Sequence, residues 1–118
     1  MAVKPFFNGL LGPLTRLESL TLSCTGITDA GLKELTAFKN LKTLYLGSVP
    51  ITDAGVKELA AVKSLEALYL GNNAITDSGL KELAALKNLK TLNVHRTKVT
   101  AAGMKALREV LPRCEIRD

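Results

Sequence analysis

The chain has 118 residues and a mass of 12.6 kDa, room for one domain and one core. It is 47% hydrophobic but only 4% aromatic, without tryptophan, so aliphatic side chains must fill the interior and a second catalytic domain is excluded. A formal net charge of +5 favours acidic partners at long range without identifying one.

The uncharged stretch near the start is interrupted by Lys4, Pro5, Gly9, Gly12 and Pro13, which makes it neither a membrane span nor a signal peptide. Phe6, Leu10, Leu11 and Leu14 fit half of a repeat unit, while Pro5, Gly12 and Pro13 prevent one long helix. Residues 1–16 are therefore expected to form a short N-terminal cap or a truncated half repeat.

From Leu17 onward the chain repeats itself with a period of 24 residues. The units are 17–40, 41–64, 65–88 and 89–110, followed by a terminal strand at 111–118. The second and third agree at 15 of 24 positions. Each joins two periodicities in a fixed order. In Leu41-x-x-Leu44-x-Leu46 the alternation predicts a strand with Tyr45 on the opposite face, and Ile51, Val56, Leu59 and Val62 then predict a helix with one apolar stripe. Strands are expected near Leu20, Leu44, Leu68, Leu92 and Arg113, with helices after Thr28, Thr52, Thr76 and Thr100.

Local chemistry repeats as well. The threonines are placed as N-caps, and Asp29, Asp53 and Asp77 suit the first helical turn and lie four residues before Lys33, Lys57 and Lys81. Ala101 replaces the aspartate in the fourth unit, so its helix start is expected to be weaker. Gly31, Gly55, Gly79 and Gly103 sit where alanine would favour a helix more, which implies that neighbouring units pass too close for a Cβ.

A single unit cannot bury enough surface to offset the entropy of ordering it, so the units must stack. The result is an α/β solenoid segment, with a parallel sheet on the concave face and helices on the convex face.

The pattern L-x-x-L-x-L-x-x-(N/C/T)-x-(I/L) followed by ITDxGLKEL resembles the leucine-rich repeat family over Leu17 to Ile116. Within it, the resemblance is to the ribonuclease-inhibitor-like or cysteine-containing subclass, which has bacterial members, and it implies a right-handed horseshoe that recognises proteins. Where the family often has Asn or Cys, this chain has Thr25, Val49, Asn73 and Thr97; of these, Val49 cannot bond the turn backbone through its side chain. Leu111 to Ile116 matches the strand template with Cys114 at the middle leucine.

Cys24 and Cys114 fall four strands apart, nearly 20 Å at about 4.8 Å per strand, too far for a disulfide. Two free thiols and no signal-like segment favour the cytoplasm.

The variable positions gather on the predicted concave face. Glu18, Lys42, Glu66 and Lys90 form one row; Thr21, Tyr45, Tyr69, Asn93 and Glu115 form another, and Cys24, Ser48, Asn72 and Arg96 follow. Tyr45, Tyr69, Asn72, Asn93, His95 and Arg96 are the candidate partner-binding residues, because aromatic side chains among small neighbours anchor interfaces and arginine supplies directional donors. Their expected ligand is a protein or peptide of acidic character. The alternative is a basic repeat surface that binds nucleic acid or another polyanion. It is disfavoured because the lysines are balanced by Glu34, Glu58 and Glu82 and lack interleaved aromatics. His95 has no nucleophile placed against it, and no phosphate-cradling loop or metal-ligand spacing occurs, so neither an enzyme nor a cofactor or metal is expected.

Overall fold

The computed structural model describes residues 16–118; the predicted cap at residues 1–16 lies outside them except for Arg16. Five short strands form one parallel sheet in chain order: β1 Ser19–Thr21, β2 Thr43–Tyr45, β3 Ala67–Tyr69, β4 Thr91–Asn93 and β5 Glu115–Arg117. Register advances by 24 residues from strand to strand, pairing Leu20 with Leu44, Leu44 with Leu68, Leu68 with Leu92 and Leu92 with Ile116.

Helices return the chain from the end of each strand to the start of the next. They are α1 Asp53–Leu59, α2 Asp77–Glu82 with a 3-10 extension at Leu83–Ala85, and α3 Ala101–Val110. The strand leucines and the helical stripe close on each other: Leu44, Leu46, Val56, Leu59, Leu65, Leu68 and Leu70 are completely buried. Each interior unit thus covers one neighbour and is covered by the other, as stacking requires.

Thr52, Thr76 and Thr100 cap their helices, accepting backbone N–H groups of Ala54, Ser78 and Gly103. The first unit departs from expectation. Its helical segment, Gly31–Ala37, is 3-10 throughout, preceded by Ala30 without a side-chain cap. Asp29, Asp53 and Asp77 bond the backbone and hydroxyl of Thr52, Thr76 and Thr100 in the following units. Among the described residues no preceding aspartate does this for Thr28.

That arrangement also corrects the predicted Asp–Lys pairs. The ion pairs among the described residues are Glu18–Lys42, Glu66–Lys90 and Glu115–Arg117; the aspartates face the next unit instead. The helical glycines make room for them. A Cβ at Gly79 would stand 2.3 Å from Asp53 Oδ1, and one at Gly103 would stand 2.2 Å from Asp77 Oδ1. α3, which begins at Ala101, is the longest helix among the described residues, and its cap Thr100 is anchored by Asp77 of the unit before, as Thr52 and Thr76 are by Asp29 and Asp53.

The end of the chain needs a second correction. Leu111 does not begin a strand; its carbonyl accepts the Cys114 N–H, as those of Val62 and Leu86 accept from Leu65 and Leu89. Ile116 therefore takes the middle leucine's place in the 24-residue register, while Cys114 stands 24 residues after Lys90 and makes the hydrogen bond that Leu65 and Leu89 make as first leucines. Cys114 is nevertheless buried, as a free thiol, and burial pushes its pKa up. Cys24 is free and exposed.

The loops use the variable position as the residue types dictate. Thr25 and Thr97 donate to the carbonyls of Leu22 and Val94 and accept the N–H groups of Ile27 and Val99. Asn73, the buried polar residue of the core, donates to Leu46 and Leu70 and accepts the Val49 N–H at 2.9 Å. The deviant Val49 turn is thereby satisfied from the neighbouring unit, and Val49 itself joins the apolar core.

Candidate functional site

Because side chains alternate along each strand, the residues between the buried leucines stand on the open face. Register places Thr21, Tyr45, Tyr69, Asn93 and Arg117 in one row across the sheet. Glu115 pairs with Thr91, so it is not the neighbour of Asn93 that the sequence template assigned; Arg117 is.

Tyr45 and Tyr69 stack with ring centroids 4.5 Å apart and planes inclined by 8°. The separation is close to the strand spacing, so the sheet itself sets the stack. Beside it, Ser23, Gly47, Ser48, Tyr69, Gly71, Asn72, Asn93 and His95 line an open depression of about 300 Å³. Gly71 keeps that floor low: a Cβ there would be 3.2 Å from the His95 carbonyl.

Bonds within the depression hold its walls. Ser23 Oγ accepts the Gly47 N–H, Asn72 donates to Ser48 Oγ, and Asn93 Oδ1 accepts the His95 N–H. Four of the candidate residues, Tyr69, Asn72, Asn93 and His95, are thus brought together. Tyr45 flanks them through the stack, and Arg96 lies in the turn after β4, outside the lining. Sequence reading did not select Ser23 and Ser48, although Ser48 stands in the row of Asn72 and Ser23 holds in its unit the position that His95 holds in the fourth.

Cys24, Ser48, Asn72 and Arg96 all have positive φ, between 55° and 62°. The N–H groups of Cys24, Ser48 and Asn72 reach carbonyls of the next unit, at Gly47, Gly71 and His95. The row that follows the strands is therefore a ladder of left-handed turns, a conformation that asparagine tolerates and arginine does not favour.

At the other end of the strands the charged row forms two pairs, with Lys42 Nζ 3.9 Å from Glu18 and Lys90 Nζ 3.4 Å from Glu66. Both are exposed, so they contribute little to stability. No helix among the described residues is long and apolar enough to cross a membrane.

A sequence-family comparison matches residues 39–99 to "Leucine rich repeat" and residues 14–35 to a second leucine-rich repeat family. The chain belongs to the leucine-rich repeat family. Among solved structures, this leucine-rich repeat chain is similar to internalin C2 of Listeria monocytogenes, with 30% identity and a TM-score of 0.69 over 90% of the chain. A leucine-rich repeat protein of Leptospira interrogans matches 92% of the chain at 28% identity and a TM-score of 0.59. The chain spans 43% and 33% of those two structures. Actin-binding site 2 of leiomodin-1 shares the fold, with a TM-score of 0.73 over 94% of this chain and 78% of that one, at 18% identity. No curated protein matches the sequence significantly.

Proposed function

We propose that the leucine-rich repeat chain is a protein-interaction scaffold whose concave face binds a protein or peptide of acidic character. One observation carries the reading: the Tyr45–Tyr69 stack borders the depression lined by Tyr69, Asn72, Asn93 and His95, on the face where the repeats differ most. A rigid aromatic pair offers contact area at small entropic cost, and the small residues around it admit a partner's side chain. Arg96 and His95, both exposed, supply donors at one margin.

The ITDxGLKEL units and their helical convex side support placement in the ribonuclease-inhibitor-like or cysteine-containing subclass, and a bacterial source is part of the same proposal. A scaffold role requires no nucleophile, metal or cofactor.

The test uses a partner captured from the cell of origin and then purified. Tyr69→Ser with Arg96→Asn should weaken it by about tenfold or more while the circular dichroism spectrum is retained. Lys57→Ser with Lys81→Ser, on the convex side, should change mainly the salt dependence. The reverse pattern overturns the concave reading and favours the polyanion-binding alternative.

A further inference from the structure

We infer that the concave face is two-ended: the β1–β2 end receives a planar side chain of an extended acidic peptide, and the turn after β4 receives that peptide's carboxylate. This rests on the concave face being the binding surface, and it adds the ligand's chemistry and its spacing.

The planar end follows from the tyrosine stack. The rings are nearly parallel and separated by about one strand spacing, so their faces look along the sheet from strand to strand. One face of Tyr45 is covered by Tyr69. Its other face looks toward β1, where the register partner is the short, exposed Thr21. The aromatic ladder therefore stops one place early, and Tyr45 is 36% exposed. A tryptophan, tyrosine or phenylalanine ring of a partner would complete it by offset stacking. The surrounding residues at this end, Ser19, Ser23, Cys24 and Thr43, are small and uncharged, so nothing there selects for a charged group.

The anionic end follows from where the cations are uncommitted. Arg117 is held by Glu115, with both Nε and Nη2 2.7 Å from the same carboxylate oxygen. Arg96 has no hydrogen bond or ion pair among the described residues, and it stands beside the exposed His95. It is also kept at φ 55°, at the place where the preceding unit carries the better suited Asn72. The fold gives no reason for an arginine there; a carboxylate of a ligand does.

The distance between the two ends sets the spacing. From Thr21 to Asn93 is three strand intervals, about 14 Å, and Arg96 lies just beyond. An extended peptide advances about 3.3 Å per residue, so its ring and its carboxylate must be about four or five residues apart. The intervening residues would cross the depression over Gly47 and Gly71, where only small side chains rise from the sheet.

The chain has no tryptophan, so the fluorescence of a tryptophan-containing probe can be followed against the full-length protein. Two acetylated, amidated hexapeptides of identical composition serve as probes: Trp-Gly-Ser-Gly-Glu-Glu and its compact isomer Trp-Glu-Glu-Gly-Ser-Gly. The spaced peptide should bind about tenfold tighter than the isomer. Thr21→Tyr, which fills the empty place with the protein's own ring, should weaken the spaced peptide by about tenfold, and Arg96→Asn should do the same and flatten the salt dependence. Tyr45→Thr removes the shelf and gives a second reading should Thr21→Tyr misfold. Equal affinities of the two isomers, unaltered binding in these variants, or no binding of the spaced peptide at about 1 mM overturns the inference. The broader reading fails separately, when Tyr69→Ser with Arg96→Asn leaves the captured partner's affinity unchanged.

Discussion

Asp77 accepts the Thr100 N–H at 2.8 Å through Oδ1 and the Thr100 hydroxyl at 2.6 Å through Oδ2. One short side chain thus fixes both the backbone and the cap of the next unit's helix. Asp29 and Asp53 repeat the arrangement, so three consecutive inter-unit joints share one device. The residues of the ITDxG segment therefore belong to two units at once, the aspartate reaching forward and the threonine and glycine receiving it.

Acid should loosen the Asp77 joint. Hydrogen bonds from the Thr100 hydroxyl and then from its N–H hold the Asp77 carboxyl below the ordinary aspartate range. A lowered folded pKa means that the bond's stabilisation is fully present above the unfolded value, about 3.9, and disappears as pH falls through the lower folded value. Wild type should melt above Asp77→Ala near neutrality, and the gap should close on acidification below about pH 4. Thermal melts along a pH series check this; a gap independent of pH would mean that the charge contributes nothing.

The helical glycines give a prediction whose sign is set by geometry. Helix preference alone would make Gly79→Ala stabilising by about 0.5 to 1 kcal/mol. The new Cβ would instead stand 2.3 Å from Asp53 Oδ1, and overpacking of this kind costs about 1 to 3 kcal/mol. In an Asp53→Ala background the same change should be close to neutral. A double-mutant cycle by urea denaturation should therefore return a coupling of about 1 kcal/mol or more.

Repeat length, the positions of the first four strands, the shared face of Tyr45 and Tyr69 and the free cysteines were legible in the sequence because a period-2 segment and a helical stripe recur in phase. The direction of Asp53 was not. An aspartate four residues before a lysine satisfies the rule for a pair within one helix, and only the stacked neighbour reveals the competing donors on Thr76. The Cys114 register failed for a related reason: Leu111-x-x-Cys114-x-Ile116 fits the leucine spacing better than the observed frame, Arg113-x-x-Ile116-x-Asp118, and only pairing with the neighbouring strand sets Ile116 beside Leu92. Of the candidate site, the row positions were readable, whereas the left-handed turns at Ser48 and Arg96 depend on strand-to-loop geometry that neither residue advertises.

Asn73 should be the most costly polar residue of the core to remove. Asn73→Ala would leave the Val49 N–H and the carbonyls of Leu46 and Leu70 without this partner, a loss of about 3 kcal/mol. Asn73→Thr should cost less, about 1 to 2 kcal/mol, because a threonine there can donate to Leu70 as Thr25 and Thr97 donate within their own turns. It cannot span to Leu46 and Val49 as well. If Asn73→Thr proves as stable as wild type in denaturant melts, the contacts between units carry nothing; equal losses for the two variants would mean that the Leu70 bond carries nothing.

Arg96 should show stability and binding moving in opposite directions. Its φ of 55° places an arginine in the left-handed region, which costs a side chain with a Cβ about 1 to 2 kcal/mol and asparagine less. Arg96→Asn should therefore raise the melting midpoint by roughly 4 °C, given about 1 kcal/mol recovered in a domain of this size. Arg96→Ala removes the same charge without supplying asparagine's local hydrogen bonding, so its midpoint should stay close to wild type. Both should weaken an acidic peptide to a similar degree, since both lose the guanidinium, and Arg96→Lys should retain part of the affinity while gaining no stability. If Arg96→Asn loses stability together with affinity, the arginine is a structural residue of the turn, and its exposure on the concave face has no bearing on recognition.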